Sequence, residues 1–316
     1  MSAVPQVDLV GVGLNATDTL IPLKQFPANG SKIEYERATV MAGGQVASTV
    51  VACQTWGLTT RYVGKLGRDD AGRLHEKEFS RFGVDARLVY AKEGSSPRSL
   101  ILVDPHGERT VLCQRDPRLR LQPQEIQREW VTSARVLHVD GFDTEAAIQA
   151  ARWAHEAGVP VVADLDEEYN GIYDLLPLVD YLVVSRDFPS KITGQSDLPR
   201  ALSELYHRFA CKVTAATLGP DGVLAFDGND FHHRSAFRVP VVDTTGAGDI
   251  FHAGFIFGLI SGWPLHRQLD FACAAAAINC MHSGARGGIQ TVQAIDKLVQ
   301  AGERYPLHAL ASAATL

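Results

Sequence analysis

The segment Asp243-Thr244-Thr245-Gly246-Ala247-Gly248-Asp249 combines the residue types that phosphoryl transfer requires. Two glycines around an alanine let the chain turn tightly, and an apolar run with helical spacing, residues 250–261, follows directly. Amide N–H groups at a helix N-terminus favour a negative ligand, so they can stabilise the charge on a transferring phosphoryl group. The Asp249 carboxylate beside them can accept a proton from an attacking hydroxyl. The alternative is a turn in which Asp249 only caps the helix.

Composition narrows the class of protein. With a formal net charge of −6 and no long Lys/Arg run, the chain lacks the basic surface expected of a nucleic-acid-binding protein. No apolar stretch reaches the ~20 residues that cross a bilayer, so no membrane partner is expected. The five cysteines are widely spaced and form no C-x-x-C pair, which indicates reduced thiols. Because residues 1–6 also lack the pattern of an export signal, we expect a cytoplasmic location.

From about residue 130 onward, strand-like and helix-like segments alternate. This alternation predicts an α/β fold with a mostly parallel central sheet and helices on both faces. Strands are predicted at residues 135–139, 159–163, 181–184 and 212–217, and helices at residues 144–157, 197–209, 249–261 and about 266–282.

Two segments of the first third depart from this alternation. Residues 19–40 lack a convincing helix and contain several turn signals, whereas residues 98–103 and 108–113 read as strands around the turn 104–107. We expect them to form one small sheet, separate from the central one, as a lid over the carboxyl ends of the parallel strands, where such folds bind ligands. Arg98 and Arg109 in this lid are candidates for contact with an anionic group, although a solvated strand arginine is the commoner case.

Two other patterns have ordinary structural explanations. Residues 11–16 match G-x-G-x-x-A, but a dinucleotide site needs a helix next, and a β-branched run ending in Pro22 follows instead. Asp69 and Asp70 are more simply the start of a helix over residues 71–82 than metal ligands. No G-x-x-x-x-G-K-[ST] segment occurs, which excludes a P-loop kinase.

Three motifs together resemble the ribokinase or phosphofructokinase-B (PfkB) family of sugar kinases over nearly the whole chain. The segment 243–249 is similar to the family's C-terminal signature, and Ala42-Gly43-Gly44-Gln45-Val46-Ala47-Ser48 to its N-terminal signature. Thr217-Leu218-Gly219-Pro220-Asp221-Gly222 resembles the T-L-G-x-x-G loop at the nucleotide site. The resemblance implies a ribokinase-like three-layer sandwich, with one kinase domain over residues 1–316 and lid segments at about 15–40 and 96–115.

The resemblance also implies a role for individual residues. It implies that Asp249 is the catalytic base and that the anion hole consists of the amides of Gly246, Ala247 and Gly248. It implies sugar binding by Asp18, Gly43, Gly44, Gln45 and Ser48. It implies nucleotide binding by Thr217, Gly219, Gly222, Asn279 and Gly284, of which the last two would face the adenine. It implies a monovalent cation site, with K⁺ as the candidate ion, at Asp243, Thr245, Ala285 and Gly288.

Three positions differ from the family pattern. Ser48 stands where ribokinase-like enzymes usually have Asn, so the contacts to the sugar must differ. Residues 185–188 read SRDF where many relatives have the magnesium-site motif N-x-x-E, and Asp187 is the one candidate to compensate. Residues 164–168 read DLDEE in place of D-x-N-x-R, which disfavours a phosphorylated acceptor. Carboxylates 166–168 could bind a metal, although an exposed acidic turn is the commoner case.

The sequence therefore predicts ATP-dependent phosphorylation of a hydroxyl on a small sugar or sugar acid, with ATP, Mg²⁺ and K⁺ as ligands. Residues 185–187 and the C-terminal signature favour the ketohexokinase-like or sulfofructose-kinase-like branches. Two alternatives stay open: a nucleoside kinase of the same fold, and a catalytically silent protein that senses a sugar or nucleotide. Exposed lid edges would allow a homodimer through the lid.

Overall fold

A computed structural model describes Val4 and residues 6–306. The prediction that the chain lacks an export signal concerns residues 1–6, most of which lie outside the described residues. In chain order the strands are β1 (Val7–Val12), β2 (Ala16–Pro22), β3 (Thr39–Gly43), β4 (Thr60–Leu66), β5 (Asp85–Tyr90), β6 (Arg98–Val103), β7 (Arg109–Gln114), β8 (Ala134–Asp140), β9 (Val161–Leu165), β10 (Tyr181–Ser185), β11 (Val213–Thr217), β12 (Val223–Phe226) and β13 (Phe231–Arg234). The helices are α1 (Gln45–Thr55), α2 (Asp70–Phe82), α3 (Arg128–Thr132), α4 (Thr144–Glu156), α5 (Ile172–Leu175), α6 (Phe188–Thr193), α7 (Leu198–Phe209), α8 (Ala247–Ile260), α9 (Leu265–Asn279) and α10 (Val292–Ala301).

The central sheet has the order β13-β12-β11-β10-β9-β8-β1-β4-β5. Neighbouring strands are parallel from β11 through β10, β9, β8, β1 and β4 to β5. Strand β12 pairs antiparallel with β11, and β13 pairs antiparallel with β12 at the edge of the sheet. One hydrophobic cluster packs α4 and α7 on one face, and a second packs α1, α8 and α9 on the other. Because helices cover both faces of the sheet, every residue of strand β9 is buried. The predicted three-layer α/β architecture is confirmed. Among the described helices, none has both the length and the apolar character needed to cross a membrane.

Each strand and helix predicted beyond residue 130 is present, with its ends shifted by a few residues. The strand predicted at 159–163 begins at Val161 because Pro160 has no N–H for the sheet. The helix predicted from Asp249 begins at Ala247, since Gly246 already occupies its N-cap position.

The second sheet is the predicted lid. Its order is β3-β2-β6-β7, with β2 and β6 parallel and the other pairs antiparallel. Asp104 Oδ1 closes the β6–β7 turn by accepting the N–H groups of His106 at 2.8 Å and Glu108 at 2.9 Å. The chain after Gly13 continues into strand β2 rather than a helix, so the G-x-G-x-x-A segment does not form a dinucleotide site.

Asp69 starts helix α2, as the sequence predicts, and it also supports the lid. Its Oδ1 accepts the N–H of Gly72 at 2.9 Å and the hydroxyl of Ser96 at 2.6 Å, and its Oδ2 accepts the Ser96 N–H at 3.0 Å. Ser96 lies just before β6, so one carboxylate joins the start of α2 to the base of the lid. Asp70, by contrast, is 90% exposed and contacts only Arg73 within the same turn.

We expect Asp69→Ala to lower the free energy of unfolding by about 1–3 kcal/mol, because it removes an N-cap and leaves the Ser96 N–H without its partner. Asp70→Ala is the matched control, and we expect it to change stability by about 0.5 kcal/mol or less, since it breaks only an exposed ion pair. Urea unfolding of both variants measures the difference. Equal losses in the two variants would contradict this role of Asp69.

Candidate active site

Helix α8 begins at the turn that the sequence predicts to be an anion hole. Gly246 has a φ of 75°, a left-handed conformation that favours glycine. A Cβ at this position would lie 2.5 Å from the Cα and O atoms of Ala285. Among the described residues, the amides of Gly246 and Gly248 have no backbone acceptor, whereas Ala247 N–H donates to the Thr244 carbonyl at 3.2 Å. Two of the three predicted amides are therefore free to bind an anion.

Asp249 lies in the first turn of α8, on the wall of a large cavity. Burial of its carboxyl and, next, the negative charge of Asp164 raise the pKa of Asp249 to about 7, against a smaller opposing effect of Arg109. Thr49 Oγ1 donates to the backbone oxygen of Asp249 at 2.9 Å, which joins the start of α8 to α1. A carboxyl with a pKa near neutrality is suited to accept a proton at physiological pH.

The cavity has a volume of about 730 Å³ and extends from Asp249 to the loop after β11. This size is typical of a site for a cofactor. Thr217, Gly219 and Gly222, three of the residues predicted to bind the nucleotide, line it. The other two residues predicted to bind the nucleotide, Asn279 and Gly284, are not among its lining residues. On the α9 side, its wall is formed by Ala276, Ala277 and Cys280.

The residues that replace the D-x-N-x-R pattern form an acidic group at this cavity. Asp164 and Asp166 both line it, and Asp166 is half-buried, whereas Glu167 and Glu168 are exposed. Burial, followed by the charges of Asp166 and Asp140, raises the pKa of Asp164 well above its usual range. His252 Nδ1 lies 3.5 Å from the Asp164 carboxylate. Sequence reasoning missed His252.

This acidic group does not form a metal cage by itself. Among the described residues, no cluster of three or more His, Cys, Asp or Glu side chains has the geometry to hold a metal ion. Ser185 lines the cavity, whereas Asp187 lies in a separate surface pocket. Asp166 is therefore better placed than Asp187 to replace the missing carboxylate of N-x-x-E.

The predicted sugar-binding residues meet beneath the lid. Asp18 on β2 is 5% exposed, and burial raises its pKa to about 6 against the opposing charges of Arg286 and Arg115. A Cβ on Gly43 would lie 2.0 Å from Asp18 Oδ2, so only glycine fits beside this carboxyl. Gly44 has a φ of 92°, and a Cβ there would lie 2.5 Å from Asn15 Cα and 2.6 Å from the Leu14 carbonyl oxygen.

Ser48 contacts a residue that sequence reasoning did not identify. Arg286 Nε donates to Ser48 Oγ at 3.2 Å, and Arg286 Nη2 donates to the Gly43 carbonyl at 2.9 Å. The short Ser48 side chain leaves room for this guanidinium, which brings donor groups to a position where relatives have an Asn. The departure at Ser48 was the signal that could have led to Arg286. Gln45 lines the cavity, and its Nε2 donates to Asp166 Oδ2 at 3.3 Å.

The four residues predicted to bind a monovalent cation are close together, but a side chain lies between them. Asn279 Nδ2 donates to the carbonyls of Thr245 at 3.1 Å and Ala285 at 3.3 Å, and Asn279 Oδ1 accepts the Gly288 N–H at 3.1 Å. Asp243 accepts the N–H groups of Thr245 and Gly284 at 2.8 and 2.7 Å. The residues present therefore do not fit K⁺, because an amide nitrogen occupies the position between the two carbonyls.

The tip of the lid contacts the same loop. Thr244 Oγ1 and Thr244 N–H donate to the Gly107 carbonyl at 3.0 and 3.2 Å. The Arg109 guanidinium donates to the Thr244 carbonyl. Arg109, one of the two lid arginines considered as anion ligands, thus lines the cavity. It also contacts residues 243–248, the loop of the predicted anion hole, which we call the anion-hole loop.

Comparisons with known proteins concern the family and the fold of the whole chain. Residues 8–292 match the pfkB family carbohydrate kinases. The chain is similar to the 5-dehydro-2-deoxygluconokinase of Geobacillus thermodenitrificans, with 25% identity over 93% of each chain. It is also 27% identical to the ATP-dependent ribose-1-phosphate kinase of Halopiger xanaduensis, over 85% of this chain and 90% of that one. Its fold is similar to the structure of Arabidopsis thaliana ribokinase complexed with ribose and ATP, with a TM-score of 0.79, 24% identity, and coverage of 94% of this chain and 99% of that one.

We expect Asp164→Asn to stabilise the protein in a pH-dependent way. The raised pKa of Asp164 means that the folded state binds this proton more tightly than the unfolded state does. As pH rises above about 4, the unfolded state releases this proton while the folded state retains it, so the wild type loses stability, and the variant should gain most near pH 8 and little near pH 4. Thermal unfolding across this range, without divalent cations, measures the gain. Asp174→Asn, at an exposed position, is the control, and a similar pH-dependent gain there would refute the assignment.

Proposed function

The chain belongs to the PfkB family of carbohydrate kinases, and we propose that it transfers the γ-phosphoryl group of ATP to a hydroxyl of a small sugar or sugar acid. One observation supports this most directly: Asp249 and the free amide of Gly248 lie on the wall of the large cavity, and the Asp18 carboxyl of the lid is close enough to raise the pKa of Asp249. A phosphoryl donor on one side and a hydroxyl on the other would meet at this point.

In this proposal Asp249 is the catalytic base. It accepts the proton of the acceptor hydroxyl while the amides of Gly246 and Gly248 stabilise the charge on the transferring group. The Arg109 guanidinium, also on the cavity wall, adds positive charge where phosphate oxygens would lie. Asp18 and Gly43 hold the acceptor hydroxyls, with Ser48 and Arg286 supplying further donors. The closed lid excludes water, which would otherwise compete with the sugar.

The nucleotide would lie in the 730 Å³ cavity, against Thr217, Gly219 and Gly222. Mg²⁺, when bound with the nucleotide, neutralises phosphate charge and orients the γ-phosphoryl group. Asp164, Asp166 and Ser185 are the residues that would hold it. Because these residues do not form a complete cage among the described residues, nucleotide phosphates and water would supply its remaining ligands. The raised pKa of Asp164 supports this placement, since a nearby cation would relieve the repulsion among the carboxylates.

The proposed acceptor substrate is a sugar or a sugar acid. Relatives of similar identity include kinases named for an acidic sugar, a sugar phosphate and a neutral pentose. Arg286 and Arg115 beside Asp18 are compatible with an acidic acceptor.

We also propose that two copies associate through the lid. Strands β3 and β7 are the edges of the lid sheet, and Val40 and Leu112 on them are 60% and 54% exposed. Exposed edges with apolar side chains favour pairing with a second copy.

We expect Asp249→Asn to lower kcat by at least about a hundredfold, because it removes the proton acceptor but preserves size and capping. Nucleotide and sugar affinities should change far less, since the amides and lid contacts remain. Steady-state kinetics and thermal unfolding of the same variant distinguish a base from a helix cap. A variant that keeps a tenth or more of the wild-type kcat would contradict the assignment.

The pH dependence of kcat/KM provides a second test. Since the pKa of Asp249 is raised to about 7, its carboxyl is protonated below that pH and cannot accept a proton. We expect kcat/KM to rise about tenfold per pH unit below the pKa and to level off above it. Measurement from about pH 5 to 9 in wild type and Asp249→Asn should show this rise only in the wild type. The same slope in both proteins would assign it to another group.

A further inference from the structure

Asn279 is the last residue of α9 and is fully buried. Its side chain joins two separate parts of the chain: the anion-hole loop at Thr245, and the loop after α9 at Ala285 and Gly288. Two carbonyl oxygens face one end of the amide and an N–H group faces the other. This chemistry determines which end is nitrogen and which is oxygen, because reversing the amide would place oxygen against oxygen.

A potassium ion and an amide N–H compete for the same partners here. Both interact with carbonyl oxygens, and a bound K⁺ requires several of them to replace its water shell. Nδ2 lies within hydrogen-bond distance of both Thr245 O and Ala285 O, at 3.1 and 3.3 Å, so an ion between these two atoms would overlap the amide. Asp243, the carboxylate of the predicted cation site, already accepts an N–H on each of its oxygens.

We propose that the side-chain amide of Asn279 replaces the monovalent cation expected at this loop, so that catalysis is independent of K⁺. The inference rests on the proposed kinase activity. In this arrangement Asn279 is a positioning residue: it holds the Thr245 carbonyl, and with it the turn at Gly246, while touching neither substrate. Arg109, bonded to the adjacent Thr244 carbonyl, supplies a positive charge that an ion would otherwise provide.

One buried group in the loop has no partner among the described residues, the Thr245 hydroxyl. A single hydroxyl does not form an ion site while the amide is present. If the amide were removed, this hydroxyl, the two carbonyls and the Asp243 carboxylate would become an oxygen-rich pocket. Variants at Asn279 should therefore gain a cation requirement that the wild type lacks.

The first arm of the test compares wild-type activity and thermal unfolding in KCl and in tetramethylammonium chloride at matched ionic strength. We expect kcat to agree within about twofold and the unfolding temperature to be unchanged. Stimulation by K⁺ of about fivefold or more would overturn the inference.

The second arm uses Asn279→Ala and Asn279→Asp. Both variants should lose activity and thermal stability in tetramethylammonium. Relative to tetramethylammonium, K⁺ should raise their kcat at least about tenfold and raise their unfolding temperature. The effect should be larger for Asn279→Asp, whose carboxylate opposes two carbonyls unless a cation lies between them. Gln268→Ala is the matched control, since Gln268 is also a buried amide on α9, bonded to the Trp263 carbonyl at 2.7 Å. It should lose stability without rescue by K⁺.

The outcomes separate this inference from the proposed function. Folded Asn279 variants that K⁺ does not rescue, or a Gln268→Ala variant rescued equally, would overturn the replacement. If Asn279→Ala does not fold in either salt, Asn279→Asp and the comparison of wild-type activity in the two salts still test whether the amide replaces the cation. If no sugar or sugar acid is phosphorylated in either salt, the proposed function is overturned, while the unfolding temperatures continue to test the role of Asn279.

Discussion

The close contact between Gly246 and Ala285 is the constraint on which the active site depends. The left-handed turn at Gly246 is possible only because no side chain lies between it and the Ala285 backbone. The start of α8 and the loop after α9 are therefore packed backbone to backbone. Asp243 and Asn279 bond to both segments, so the free amides keep their direction without help from a substrate. Preorganised donors of this kind need no rearrangement as charge develops.

The candidate site also contains buried carboxyl groups in an unfavourable electrostatic environment, which folding alone does not require. Burial raises the pKa of Asp18 to about 6 and that of Asp140 and Asp249 to about 7. Buried carboxyls that repel one another lower stability, and they are found most often where a ligand compensates for them. A cation bound near Asp164 and Asp166 and an acceptor hydroxyl on Asp18 would both provide that compensation.

The lid links the two halves of the site. Strand β2 holds Asp18, the proposed acceptor ligand, while the β6–β7 turn of the same sheet bonds to Thr244 in the anion-hole loop through Gly107 and Arg109. A movement of the lid that displaces Asp18 would therefore also break contacts to the anion-hole loop. In the proposed mechanism, enclosure of the acceptor and formation of the catalytic site would be coupled through this one small sheet.

The sequence by itself determined the alternation of strands and helices, the separate lid, and the short motifs at Asp249 and Thr217, because each depends on local spacing and on glycine conformation. It could not determine which distant side chains meet. Arg286 contacts Ser48, 238 residues away in the chain, and Asp164 on strand β9 approaches His252 on helix α8. Asn279 was expected at the adenine, since helical spacing does not show which neighbour a buried amide will bond. Only the packing of α9 against the anion-hole loop decided that it lies between Thr245 and Ala285, because hydrogen-bond partners are set by the whole fold.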